Sequence, residues 1–316
     1  MKTGCTREKA MKKTGYALIL IVLLFPAALP APALENVVTD FSMGIDTIRG
    51  HTTYRIGGHV MFHDGSSYQL HFPVSELKFP LNLYMLTGRA DVRMGERLSA
   101  YLSGKINLNS DPGQIKDTDW LASPFAVDIY SESRADADAL MAETGIRYKM
   151  WRRRGLDMLA GLGCRYQNFA FEADQTLQSY PASGASPDFL AGRTLTYDIT
   201  YLIPYAEIVL ALTPAPKTAV EISLGYSPWI RATDRDHHIL SNRVSECDYD
   251  GDGMIVGMKT RQDISDHLFA TLTCEVLAVD GEGRSVTYTN GAWSHSIDQT
   301  TETRQISLEL SAGYTF

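Results

Sequence analysis

The chain has 316 residues, 44% of them hydrophobic and 21% charged, with 29 lysines and arginines against 37 aspartates and glutamates, a net charge of −8. That acidic balance argues against a nucleic-acid ligand and favours cationic partners. Four cysteines without metal-ligand spacing give no sign of a zinc scaffold.

The chain opens on a basic stretch, Lys2, Arg7, Lys9, Lys12 and Lys13, followed by the almost wholly apolar run Tyr16 to Leu29 and the small residues Ala31-Pro32-Ala33. This order predicts a secretory signal peptide over 1–33. The apolar run, about fourteen residues, falls short of the roughly 20 that a spanning helix needs. Its removal leaves 34–316 as one domain with 24 basic and 36 acidic residues, a net charge of −12. Three cysteines remain. Cys164 and Cys274 fall in predicted strands as small packing residues, and the pairing of Cys247 is left open.

Beyond residue 34 a period of two recurs. Leu98, Ala100, Leu102, Gly104, Ile106 and Leu108 share a face opposite Ser99, Tyr101, Ser103, Lys105 and Asn107. The same holds for Leu140 to Tyr148, Val220 to Tyr226 and Leu268 to Val276, each with Glu, Arg or Lys on the second face. A dry core has no place for a charge at every second residue, whereas a barrel with a wet interior does. Ten strands are expected at about 35–56, 67–94, 97–110, 137–153, 156–174, 196–213, 217–233, 253–264, 267–280 and 302–316. Tight turns at Gly95-Glu96, Gly155, Ala215-Pro216 and Asp266-His267 alternate with long polar connectors at 57–66, 111–136, 175–195, 234–252 and 281–301. The expected fold is therefore an all-β, ten-stranded antiparallel transmembrane β-barrel with long extracellular loops. Its final strand puts Leu308, Leu310, Ala312, Tyr314 and Phe316 on one face, resembling the closing strand of bacterial outer-membrane barrels.

Two of the long connectors carry the candidate chemistry. One holds Lys116-Asp117-Thr118-Asp119-Trp120, the other Asp234-Arg235-Asp236-His237-His238. In extended backbone, residues i and i+2 point the same way, so Asp117 and Asp119 share one side and Asp236 and His238 another. A His beside a carboxylate is a general base for water, and two close carboxylates raise each other's pKa until one holds a proton. On spacing alone the stronger alternative is a loop that is solvated or binds calcium, as acidic loop pairs usually are. Other motifs are poorer. Asp248-Tyr249-Asp250-Gly251-Asp252-Gly253 matches the opening of an EF-hand loop, but its twelfth position is Lys259. His295-Ser296 lacks a nucleophile elbow, and His59 and His63 have no Glu between them. Arg152 to Arg154 at a short turn reads as an interfacial anchor.

With these residues in place the chain resembles the omptins, outer-membrane aspartate-histidine endopeptidases. The resemblance is carried by Asp40-Phe41-Ser42-Met43-Gly44, Asp117-Thr118-Asp119-Trp120, Ile203-Pro204-Tyr205, Gly225-Tyr226-Ser227-Pro228-Trp229, Asp234-x-Asp236-x-His238 and Gly313-Tyr314-Thr315-Phe316. It implies catalytic roles for Asp117, Asp119, Asp236 and His238, with His237 turned to the other side. The implied reaction is hydrolysis of a peptide bond at or near basic residues by activated water, without metal, acyl-enzyme or cofactor. Of the acids lining the family's substrate pocket, the resemblance keeps one at Asp234 and puts Tyr54 where a second belongs. It also implies lipopolysaccharide as an activator, yet the matching stretches, Tyr166 to Asn168 and Thr200, lack the charged side chains that would hold it. Partners are then peptides or proteins with basic residues and outer-membrane lipid, with no nucleic acid, and the active site faces the cell exterior. The competing reading is a catalytically silent barrel serving as adhesin, structural protein or passive pore. An outer-membrane phospholipase would need a Ser-His pair on the outer wall, and none is evident.

Overall fold

Where apolar and polar residues alternate, the chain is strand. The computed structural model describes residues 37–316; the segment assigned to a signal peptide lies outside the described residues. In chain order the strands are β1 (Val37–Phe62), β2 (Ser67–Gln69), β3 (Ser75–Pro80), β4 (Leu83–Met94), β5 (Leu98–Asn107), β6 (Gln114–Asp119) and β7 (Ile129–Arg153). They continue with β8 (Leu156–Tyr180), β9 (Ala185–Ala215), β10 (Thr218–His238), β11 (Arg243–Asp263), β12 (Leu268–Thr289) and β13 (Ala292–Thr315). All pairings are antiparallel, and β13 returns to β1 in a register running from Asp40↔Thr315 to Phe62↔His295. The result is a closed ring of ten strands, β1, β4, β5 and β7 to β13, with no free edge at its waist. Short β2, β3 and β6 continue the second and third strands of the ring beyond β4 and β5.

The break between β3 and β4 has a local cause. β1 pairs with β4 up to Ile48↔Leu83 and with β3 from His51↔Pro80 onward. Between them sits Gly50 at φ 149°, where a Cβ would fall 1.9 Å from the Arg304 carbonyl oxygen, so only glycine fits. Leu81 N then donates to Gly50 O at 3.0 Å, tying the break back to β1. At the opposite ends, Arg154-Gly155 (φ 46° and 83°) and Asn290-Gly291 (φ 52° and 80°) are two-residue hairpin turns with both residues left-handed.

The outer wall carries a belt of exposed apolar residues, among them Ile45, Ile146, Leu162, Ile208, Leu224, Val256, Leu272 and Leu310. Such a belt suits lipid. Past Arg49 on β1 and Trp229 on β10 the strands run on beyond it. The segments expected as long loops are therefore largely wall: 234–252 lies in β10 and β11 apart from a turn, and 281–301 lies in β12 and β13. Likewise 175–195 is a hairpin of β8 and β9, and β6 and the start of β7 occupy part of 111–136. Outside the bilayer the outward face is polar as well, so the alternation that marks a membrane strand fades from the sequence while the pairing continues. Asp248, Asp250 and Asp252 accordingly form an exposed row on β11, not a loop around a cation.

The interior has two tiers. At the level of the belt it is charged: Lys105 Nζ meets Asp46 at 2.6 Å and Glu309 at 3.1 Å, and Arg165 meets Glu275 at 2.6 Å and Glu143 at 3.0 Å. Arg147 meets Glu207 at 2.7 Å, and these groups line a cavity of about 110 Å³. Above it the lumen is apolar and aromatic. Phe79 stacks on Tyr197 with centroids 4.2 Å apart and packs on Phe171 at 5.1 Å, with Phe169, Ile199 and Tyr201 fully buried around them. This packing seals the barrel, so we predict no steady ionic conductance for the protein reconstituted in a planar bilayer. Reproducible open-channel currents would overturn the sealed lumen and revive the passive pore.

Candidate active site

The two sequence clusters lie in strands on the same side of the aromatic seal. On β10, Asp234, Asp236 and His238 occupy alternate inward positions, while Arg235 and His237 alternate with them on the other face. On β6, Asp117 and Asp119 are likewise two apart. β3 bridges β1 to β6, and Leu77 stands opposite both Tyr54 and Asp117, so Tyr54, Leu77 and Asp117 form one row across that wall. Asp236 stands opposite Tyr197 on the far wall. Tyr54 crosses the lumen between the walls, its hydroxyl donating to Asp236 Oδ2 in a short hydrogen bond.

His238 Nε2 lies 2.9 Å from the same oxygen, Asp236 Oδ2. A carboxylate only accepts, so Nε2 carries the hydrogen and Nδ1 is left with the lone pair. Asp236 is 3% exposed, and its Oδ1 is buried without a partner in the protein. Burial works to lower the His238 pKa, but the Asp236 carboxylate, through its charge and hydrogen bond, outweighs it and raises the pKa above the usual value. Arg243 opposes that rise and Asp117 assists it.

Asp117 is pushed up to about 7, first by burial and then by the Asp119 charge; its Oδ1 also lacks a partner. Burial raises Asp119 too, against a hydrogen bond from Ser75 and the charges of His238 and Arg243. The pair therefore holds a proton at a pH where an isolated aspartate would be ionised. The charges of both acids act on His238, which places the three in one electrostatic site.

Asp234 sits deeper, 7% exposed. Its Oδ2 accepts from Tyr249 at 2.5 Å and from Tyr197 and Gln299 at 3.1 Å each. Burial pushes its pKa up to about 7, and the nearby Asp236 adds to this, while the tyrosine hydrogen bonds pull the other way. Both positions assigned to substrate binding, Tyr54 and Asp234, thus already hold protein partners.

Sequence reasoning missed several residues here. Arg243 pairs in register with His238, and its Nε is buried with no hydrogen-bond partner. The signal was a tight turn: Asn242, at φ 47°, ends a short link that folds Arg243 back beside His238. Tyr197, Tyr249 and Gln299 come from three further strands, with nothing local to mark them. Other candidates have partners of their own. His295 Nδ1 meets Ser294 Oγ at 3.1 Å, and His59 Nδ1 accepts from Arg284 at 2.9 Å. Cys164, Cys247 and Cys274 are free. On the outer wall Asn168 Nδ2 donates to Thr200 Oγ1 at 2.9 Å, a neutral pair where the resemblance implies a lipopolysaccharide contact.

Comparison with known proteins bears on the whole barrel. A protein-family model described as the Omptin family matches residues 68–264. The crystal structure of the outer membrane protease OmpT from Escherichia coli is similar, with a TM-score of 0.76 at 16% identity over 92% of this chain and 99% of that one. The outer membrane protein OprG from Pseudomonas aeruginosa gives 0.40 at 8% identity, covering 90% of this chain and 97% of its own. The translocator domain of the autotransporter NalP from Neisseria meningitidis gives 0.37 at 12%, covering 96% and 98%. No curated protein sequence matches the chain.

Proposed function

The chain belongs to the omptin family, of outer-membrane protease type, and on that premise we propose that it hydrolyses peptide bonds at or beside basic residues at the outer cell surface. The observation that carries this reading is the Asp236–His238 hydrogen bond of 2.9 Å, set in a lumen where the charges of Asp117 and Asp119 act on the imidazole. His238 Nδ1 takes a proton from water as the oxygen attacks the scissile carbonyl carbon. The proton held by the Asp117–Asp119 pair is donated as a hydrogen bond to the developing oxyanion. The imidazolium, kept against the Asp236 carboxylate, returns its proton to the departing amine.

The position of the site supports an exterior active face. Phe316 N donates to Thr39 O at 2.9 Å, so the start of β1 and the end of β13 lie together at one end of the barrel, and Asp236 and His238 lie near the tips of the other. The strands overrun the apolar belt on that side, the pattern of an extracellular rim. Lipopolysaccharide as activator would engage a surface other than the neutral Asn168–Thr200 pair.

The test is a fluorogenic peptide library, with every residue pairing across the scissile bond, run on the refolded barrel with and without lipopolysaccharide. Cleavage by wild type that is lost in His238→Ala and Asp119→Ala is the expected result. No cleavage by the folded protein under either condition would leave the silent barrel as the better reading. Asp234 makes a second prediction. With its pKa at about 7 it is largely neutral below that pH and a carboxylate above it, so preference for Lys or Arg over a neutral isostere should grow from pH 6 to pH 8. In Asp234→Asn that pH-dependent gain should vanish. A basic preference unchanged by both pH and substitution would place the cation pocket elsewhere.

A further inference from the structure

Tyr54 is buried, with its ring held between Phe79 (centroids 6.1 Å apart) and Tyr197 (5.3 Å). Its hydroxyl is therefore fixed, and it reaches from β1 to the carboxylate of Asp236 on β10. That carboxylate has one oxygen, Oδ2, shared by Tyr54 and His238, and one oxygen, Oδ1, with no protein partner. With His238 as its only anchor it would be free to rotate about its side-chain bonds and trade one oxygen for the other. A second donor on Oδ2 from a rigid ring removes that freedom. Burial, and then the Asp236 charge, keep the phenol protonated, so it is a permanent donor and brings no negative charge to a substrate pocket.

We propose that Tyr54 is a positioning residue of the hydrolytic site, holding the Asp236 carboxylate in register with His238 and setting the basicity of its imidazole. The inference rests on the hydrolytic reading above and deepens it, since the resemblance assigns this position to substrate binding. The direction of the effect follows from the charges around His238. Asp236 on its own strand and Asp117 on β6 raise its pKa, and Arg243 on β11 lowers it. Asp119 on β6 also shares its field, and His295 on β13 feels the same Arg243. A phenol hydrogen bond withdraws charge from Asp236 Oδ2 and so weakens the strongest of the raising influences. Without it His238 becomes more basic and less well aimed.

The experiment compares Tyr54→Phe, which keeps the ring, with Phe169→Leu, which disturbs the aromatic core against Phe171 and leaves the Tyr54 contacts with Phe79 and Tyr197 in place. In Tyr54→Phe, kcat is expected to fall about tenfold to a hundredfold, the range of a hydrogen bond to a charged group, with KM unchanged. The acid limb of the rate profile, and the titration of His238 followed by NMR of ring-labelled histidine with His238→Ala for assignment, should both move upward by up to about one unit. Phe169→Leu should move neither the limb nor the titration. A raised KM with intact kcat in Tyr54→Phe would return Tyr54 to the substrate pocket. An unmoved His238 titration, or the same shift in Phe169→Leu, would also overturn the proposal. The titration needs no turnover: loss of the hydrolytic reading shows as absent cleavage by wild type, while the Tyr54–Asp236–His238 linkage still stands or falls on the His238 titration.

Discussion

His238→Ala is expected to lower kcat/KM for peptide hydrolysis by about 10² to 10⁴-fold, the span usually lost with a general base, while the barrel stays folded. The fold is insensitive because His238 lies at the last position of β10, 23% exposed, with a single side-chain partner. The activity is sensitive because no other imidazole can take over. His237 is on the opposite face of the strand, and the pKa of His295 is lowered by burial and by Arg243. Asp236→Asn should be nearly as damaging. An amide in place of the carboxylate can offer its NH₂ to Nε2, reversing the tautomer and turning Nδ1 into a donor. The folded state is read by the heat-dependent gel shift of the barrel and the activity by initial rates on the best library peptide. Retention of more than about a tenth of wild-type kcat/KM in folded His238→Ala would sink the assignment of the base.

The second large effect falls on stability. Arg165, on β8 at the level of the lipid belt, is 6% exposed and holds Glu275 through two bonds of 2.6 and 2.7 Å and Glu143 through one of 3.0 Å. Arg165→Met leaves two carboxylates in a confined interior with their shared cation gone, a loss of about 3–5 kcal/mol. The triple replacement Arg165→Met, Glu143→Gln and Glu275→Gln removes the unpaired charges and should recover much of that loss. Arg152→Ala is the control: its pair with Asp157 is at 2.7 Å but the arginine is 61% exposed, so screening and entropy leave it worth at most about 1 kcal/mol. Urea unfolding in detergent, followed by tryptophan fluorescence, measures all of these. A change below about 1 kcal/mol for Arg165→Met would mean that water, not the arginine, solvates the two glutamates.

Much of this was written in the local sequence. The belt strands were legible because lipid on one side and a charged lumen on the other force the period of two, as in Leu98 to Leu108. The pairing of Asp117 with Asp119 and of Asp236 with His238 was legible for the same reason, since alternate residues of an extended chain share a face. Where water bathes the outer wall the contrast between faces is lost, and segments such as 234–252 looked like loops although they are strand.

By itself the sequence pointed to an antiparallel barrel and to the residues of its belt strands that share a face, while the roles of the four residues proposed for water activation came from the resemblance. The shared faces follow from nearest-neighbour geometry, which the residue order carries. Only the tertiary structure decided what those residues touch across the lumen: Tyr54 on Asp236, Tyr249, Tyr197 and Gln299 on Asp234, and Arg243 beside His238. Tyr54–Asp236 and Gln299–Asp234 join strands far apart in the chain, the others join consecutive strands, and the geometry of all is fixed by strand register and ring closure. A one-residue slip in any pairing would carry each of them to the opposite face.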